Sequence, residues 1–236
     1  ELCKDPKIRK KIEIAEDRLV SRADIVFVSS FGLEKKMKTL NNSVMPLLVR
    51  NGFVLDKIHF EANRESGKNA YQIGYFGTIA EWFDFSVLLD SLKCFPQLEY
   101  HLWGPVNNVA VPEHPRLISE GVIEHSQLWN HVKKMDCFIM PFKVTKAIAD
   151  VDPVKIYEYI SMGKAIISVY YKELERFKSF VNFYENNLEL NQVLQRLILN
   201  NFSPGYDEMS QEKFLRENSW DSRYEMIKET IERNVG

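Results

Sequence analysis

From Tyr71 to Val169 short apolar runs alternate with stretches of helical periodicity. "YQIGYF" leads to "DFSVLLDSLKCF", then come "EYHLWG", a loop rich in Pro and Asn, "RLIS", "SQLWNHVKKM", "CFIMPF", "PVKIYEYIS" and "AIISV". Continuous apolar runs of about four to eight residues suit strands buried on both faces, and the intervening helices are what covers those faces. The order predicts an α/β fold, a doubly wound parallel sheet that binds ligands at the carboxyl ends of its strands.

The flanks follow a different pattern. From Lys7 to Arg22 the chain is strongly charged, with Ile8, Ile12, Ala15 and Leu19 at helical spacing. A strand in "ADIVFVSS", a helix in "FGLEKKMKTL" and a strand in "VMPLLVRNGF" follow, the last closed by the turn dipeptide Asn51-Gly52. One or two strands are too few for a sheet-based domain. Residues 1–60 therefore read as the partial remnant of an N-terminal domain and the crossing out of it, the more so because the sequence opens on Glu1 rather than Met. Residues 61–69 are polar and read as a linker, 70–186 as the main domain, and 187–236 as helices that pack on its sheet or cross back to a neighbouring domain.

Composition narrows the class of ligand. In 236 residues, 31 Lys and Arg stand against 33 Asp and Glu, so no charge excess points to nucleic acid, and an anion must be met by a local site. No apolar run approaches the ~20 residues of a membrane helix. Three cysteines (Cys3, Cys94, Cys137) without metal-ligand spacing read as reduced thiols in a cytoplasmic setting. His125 and His131 do not share a helix face, and no metal site or cofactor is expected.

The candidate site lies at strand ends. In "GYFGTI", Gly74 falls inside a strand and Gly77 at its end, where bare backbone allows either a phosphate contact or a simple tight turn. Asp152-Pro153 reads as a helix start, with Asp152 as cap and Pro153 at the first helical position. The amides of Val154 and Lys155 then point out at the positive helix end, a seat for a diphosphate to which the Lys155 side chain adds charge. A capped amide is a used amide, so a bond from Lys155 N–H to Asp152 would cost a donor. Glu158, three residues after Lys155, shares its face and can accept from vicinal hydroxyls, or the two form an ordinary surface pair. Trp82, Trp103 and Trp129 read first as core residues, with stacking on a ligand a role only for Trp82 beside the phosphate loop.

In order along the chain, "YFGTIAEWFD", "LWGP", "GVIEHSQL", "DCFIMPFK", "DPVKIYEYISMGKAIIS" and "ENSWDSRYEMI" resemble the C-terminal half of glycosyltransferases built from two Rossmann-like domains, the GT-B fold. The likeness is to the large retaining group, family four, and within it to bacterial enzymes of cell-surface polysaccharide or teichuronic-acid assembly. "ADIVFVSSFGLEKKM" and "VRNGF" resemble the end of the N-terminal domain and the interdomain crossing. Two glutamates separated by seven residues mark that family's donor site. Glu158 matches the second, which implies ribose contact, and Asp150 stands in place of the first, which implies contact with the donor sugar. The glycine-bearing loop between them is replaced by "VDPVKIY", and "AEWFD" stands where the family carries a basic residue. Lys155, with Lys143, then carries the phosphate charge, Asp150 and Lys155 are the catalytic candidates, Gly77 and Thr78 border the phosphates, and Gly121, Val122 and Ile123 border the base.

The resemblance implies transfer of a sugar from a nucleoside diphosphate to an acceptor sugar or lipid-linked glycan, at the inner face of a membrane and without a metal. Most acceptor contacts would belong to the N-terminal domain. Two other readings stay open: a non-catalytic nucleotide-sugar-binding module, or partner subunit of a split transferase, and a nucleotide-sugar epimerase of the same fold.

Overall fold

The computed structural model describes residues 5–54, 68 and 70–235, apart from the side chains of His125 and Val235. The linker expected at 61–69 thus lies outside the described residues, save Lys68, whose Nζ pairs with Asp136 at 2.8 Å. The N-terminal block runs α1 (Pro6–Val20), β1 (Phe27–Val28), α2 (Phe31–Leu40) and β2 (Leu47–Leu48). Asp5 caps α1 and Ser30 caps α2, each accepting from first-turn amides. The strands pair in parallel, and each is shorter than the apolar run that signals it. The stripe Ile8, Ile12, Ala15 and Leu19 forms as the spacing predicts, yet it is exposed.

The main body continues β3 (Tyr71–Phe76), α3 (Phe85–Cys94), β4 (Leu98–Trp103), β5 (Leu117–Gly121), α4 (Leu128–Val132), β6 (Cys137–Met140), α5 (Lys146–Ala149), α6 (Val154–Ser161), β7 (Ala165–Val169), β8 (Asn182–Tyr184), α7 (Asn187–Leu199), α8 (Glu208–Glu217) and α9 (Trp220–Val235). One sheet of order β5-β4-β3-β6-β7-β8 forms, with every pairing parallel. After β3 the chain moves outward to β4 and β5, then returns to place β6 on the other side of β3. The crevice outside the carboxyl ends of β3 and β6 is therefore a topological switch point, where open α/β sheets bind ligands.

Alternation along β3 assigns the two faces. Ile73 and Tyr100 are in register on one face, where the Tyr100 hydroxyl lies 2.7 Å from Ser91 of α3. Gly74 and Phe138 are in register on the other, where Tyr159 of α6 stacks on Phe138 with centroids 4.7 Å apart. A Cβ on Gly74 would lie 2.8 Å from Met135 and 3.0 Å from Phe138. The in-strand glycine thus serves packing between sheet and helix. α7 lies against α3, and α8 against α6.

The short strand β8 and helix α5 carry no clear periodicity and are additions to the sequence-based reading. The helix expected at "SQLWNHVKKM" is shorter, with a 3₁₀ turn at His125–Gln127 before α4. The two blocks meet at the crossing: Phe53 N–H donates to Asn218 O (3.0 Å) and Trp220 N–H to Phe53 O (3.0 Å). Among the described residues no helix is long and apolar enough to cross a membrane.

Candidate functional site

β3 ends at Phe76, and Gly77 turns away from it with φ +144°, in the region that favours glycine. Its N–H donates to Trp103 O (2.8 Å), and its carbonyl lies against Gly104, where a Cβ would come within 2.1 Å of it. Gly104 also has positive φ (+136°) and donates its N–H to Gly121 O (2.8 Å). Three strand ends are thereby drawn together by backbone alone. Gly104→Ala should destabilise the fold by about 3 kcal/mol, from backbone strain plus overpacking, and should loosen the turn at Gly77. Thermal melts together with ligand titration would show both.

Thr78 is half-buried, and its carbonyl accepts from the Tyr75 hydroxyl (2.9 Å). Gly77, Gly104, Phe76, Trp103, Val122, Ile123, Leu128 and Lys155 line a cleft of about 150 Å³ at the switch point. The structure thus brings together Gly77, the loop after Gly121 and Lys155, which the sequence places far apart. Val122 is 71% exposed, so this wall faces solvent.

α6 opens differently from the expected cap. Pro153 occupies the cap position rather than the first helical one, and no side chain accepts from the first-turn amides. Asp152 is turned inward and buried, so its expected role as helix cap is corrected: its partners are Asn51, Tyr157 and Arg176. The reason is burial, since a carboxylate taken from water seeks several partners and the crossing segment supplies them. The amides of Val154 and Lys155 are consequently not spent on Asp152.

Lys155 and Glu158 pair at 2.9 Å, with side chains only 31% and 16% exposed, so the pair is not an ordinary solvated surface contact. The Lys155 ammonium also sits 5.0 Å from the Phe76 ring centroid, and its Cε would touch a Cβ placed on Gly77 at 3.0 Å. Gly77 makes room for the lysine. Glu158 faces a second cavity of about 320 Å³, lined also by Phe53, Trp129, Ser161, Met162 and Trp220, and Leu128 borders both cavities. Cation, carboxylate and uncapped helix amides thus follow one another along one groove. Such an array can hold an anion at one end and a diol at the other.

Two expected residues lie elsewhere. Asp150 lines a separate cavity of about 570 Å³ with Arg9, Lys35, Lys36 and Lys146, and its carboxylate abuts Gly32, where any side chain would overlap it. Lys143 is exposed, its N–H bonded to Trp82 O (2.7 Å), and it lines neither cavity of the groove. Among the described residues no group of three or more His, Cys, Asp or Glu is placed to hold a metal ion.

Behind the groove lies a charged junction that sequence reasoning missed. Arg176 donates to Asp152 Oδ1 (3.2 Å), while Arg50 pairs with Glu173, which also accepts from Phe31 N–H (3.2 Å). Arg223 donates to the Arg50 carbonyl (3.0 Å) and to Asn218. Burial pushes the Arg176 guanidinium down to about 10, against the pull of Asp152, and burial raises the Asp152 carboxyl although Arg176 and the Asn51 N–H oppose it. Arg50 and Arg223 are lowered by burial as well. The quoted crossing "VRNGF" was the only signal for this junction; Arg176 had none.

Fold and site together define a class: this is the Rossmann-like architecture of the C-terminal half of GT-B glycosyltransferases, with part of a second sheet attached. No protein-family profile matches the chain. It is similar to TuaH of Bacillus subtilis (strain 168), provisionally assigned as a teichuronic acid biosynthesis glycosyltransferase, at 23% identity over 93% of this chain and 59% of TuaH. Among solved structures it resembles sucrose-phosphate synthase from Thermosynechococcus elongatus, with a TM-score of 0.70 and 13% identity over 98% of this chain and 64% of that one. It also resembles S. aureus TarM in complex with fondaparinux, alpha-GlcNAc-glycerol and UDP, with a TM-score of 0.64 and 10% identity over 91% of this chain and 45% of TarM. The chain thus spans less than two thirds of the length of each of these.

Proposed function

We propose that this chain is the donor-binding half of a glycosyltransferase that moves a sugar from a nucleoside diphosphate to an acceptor hydroxyl in polysaccharide or glycoconjugate synthesis. The observation that carries the reading is the groove at the switch point, in which Lys155, the amides at the start of α6 and Glu158 follow one another in the order diphosphate, ribose. UDP in the TarM complex is consistent with it.

In this proposal Lys155 and the amides of Val154 and Lys155 receive the diphosphate beside Gly77 and Thr78. Glu158 exchanges its bond from Lys155 for bonds from the ribose hydroxyls. The base lies toward Val122 and Ile123. As the sugar–phosphate bond breaks, charge builds on the diphosphate, and the preorganised ammonium and amides stabilise it without a metal. Asp150, across the α2 start, meets the donor sugar if that sugar reaches its cavity. The acceptor, a sugar or lipid-linked glycan, would be held by the remainder of an N-terminal domain, with the protein at the cytoplasmic face of a membrane.

Calorimetric titration with UDP, GDP, dTDP, ADP and CDP tests the reading. One nucleotide should bind, and both Lys155→Ala and Glu158→Ala should weaken it about tenfold, the loss expected for a charge-assisted hydrogen bond. Binding unaffected by either substitution would sink the assignment. Product formation from a nucleotide sugar without any acceptor would favour an epimerase.

A further inference from the structure

Asp152 lies between Asp150 and Lys155 in sequence, yet it faces neither candidate ligand cavity. Its side chain is buried, and its polar atoms are occupied. Oδ2 accepts from Asn51 N–H (2.9 Å) and the Tyr157 hydroxyl (3.1 Å), Oδ1 accepts from Arg176 (3.2 Å), and the carbonyl accepts from the Asn51 side chain (2.6 Å). The residue after it is Pro153, whose ring restricts Asp152 to extended backbone and whose position caps α6. One acid therefore determines where α6 begins relative to the crossing segment. Tyr157, on α6 itself, is fully buried and bonds back to that same acid.

Asn51 is in turn part of a held segment. Arg223 of α9 donates to the carbonyls of Arg50 (3.0 Å) and Asn51 (3.3 Å), and Phe53 bridges to Ser219. Lys155, one turn into α6, approaches Gly77 closely enough that a methyl group there would touch it. A small rotation of the α6 start would carry the ammonium out of the cleft.

We propose that Asp152 is a positioning residue: through Asn51 and Tyr157 it orients the start of α6 so that Lys155 faces Gly77, and it thereby couples anion binding in the groove to the segment that crosses between the two sheets. The proposal rests on the assignment of Lys155 to the donor diphosphate. It adds a role to a residue that does not touch the donor.

The test is a double-mutant cycle read with inorganic pyrophosphate and UDP on the wild type, Asp152→Asn, Lys155→Ala and the double variant. Asp152→Asn keeps the side-chain shape but loses the charge facing Arg176 and presents an amide to groups that donate. It should weaken both probes about tenfold, while the double variant binds no more weakly than Lys155→Ala, because both losses run through one contact. A purely structural role predicts a lower melting temperature with unchanged affinity of the folded protein, or losses that multiply in the double variant. Either result overturns the proposal. Should Asp152→Asn fail to fold, Tyr157→Phe, which removes one bond to the acid, takes its place in the cycle with a loss of about threefold.

If the wild type binds neither probe, the donor assignment fails, and the positioning claim is read separately. The ¹³C resonance of dimethylated Lys155 reports its pair with Glu158. A shift of that signal in Asp152→Asn or Tyr157→Phe supports positioning, and an unchanged signal overturns it.

Discussion

Lys155→Ala should lower sugar transfer by the full-length protein about 10²- to 10³-fold at saturating donor, the loss typical of removing one preorganised donor from a developing oxyanion. The magnitude follows from the setting of the ammonium. It is 31% exposed, held by Glu158 at 2.9 Å and placed over the Phe76 ring, so its charge acts in a medium less screened than water. Among the residues lining the groove it is the one cation in the cleft that contains Gly77. Lys155→Arg should recover only part of the rate, because the planar guanidinium is wider than the space beside Gly77. Single-turnover measurements separate chemistry from donor binding. A variant with wild-type turnover and only a raised KM would show that Lys155 binds ground state and transition state equally.

Arg176→Ala should destabilise the fold by about 3 kcal/mol at neutral pH, the low end of the range for stranding a buried charge, because Arg176 is 24% exposed and Arg50 and Arg223 still face Asp152. The pH dependence has a defined sign. The Asp152 carboxyl is already raised in the folded protein, and losing Arg176 raises it further, so the folded variant binds a proton more tightly than the unfolded chain. Stability of the variant relative to wild type should therefore improve as the pH falls from neutral through that raised value. Denaturant melts across that range check it. A deficit that is constant with pH would mean that the loss comes from packing on Tyr157 and Phe177, whose rings Arg176 covers at 5.0 and 4.3 Å, and not from the charge.

The regular alternation from Tyr71 to Val169 needs no tertiary information to be read, because strands buried on both faces and the helices covering them leave different periodicities in the chain. The same holds for the pairing of Lys155 with Glu158, which is a matter of helix spacing. β1, β2 and β8 are only two or three residues long, and in them local pattern is outweighed by where neighbouring strands end. The role of Gly74 was misleading for a related reason: a strand glycine can make room for a ligand or for a ring, and only the position of Phe138 across the sheet decides.

Asp152 shows the boundary most clearly. Asp-Pro before a helix is a sound local signal for a cap, and the local energy at stake is only about 1 kcal/mol. Tertiary contacts outweigh it, since Asn51 and Arg176, distant in sequence, offer a buried carboxylate several bonds in place of one. By itself, then, the sequence determined the parallel α/β order, the helix that carries Lys155 and Glu158, and the resemblance to a donor-binding half. Only the tertiary structure decided that Gly77, Gly104 and Gly121 close one cleft, that Asp150 lies outside it, and that Asp152 ties it to the crossing. Short-range periodicity encodes which face of an element is buried, whereas contacts between residues far apart in the chain depend on how those faces meet.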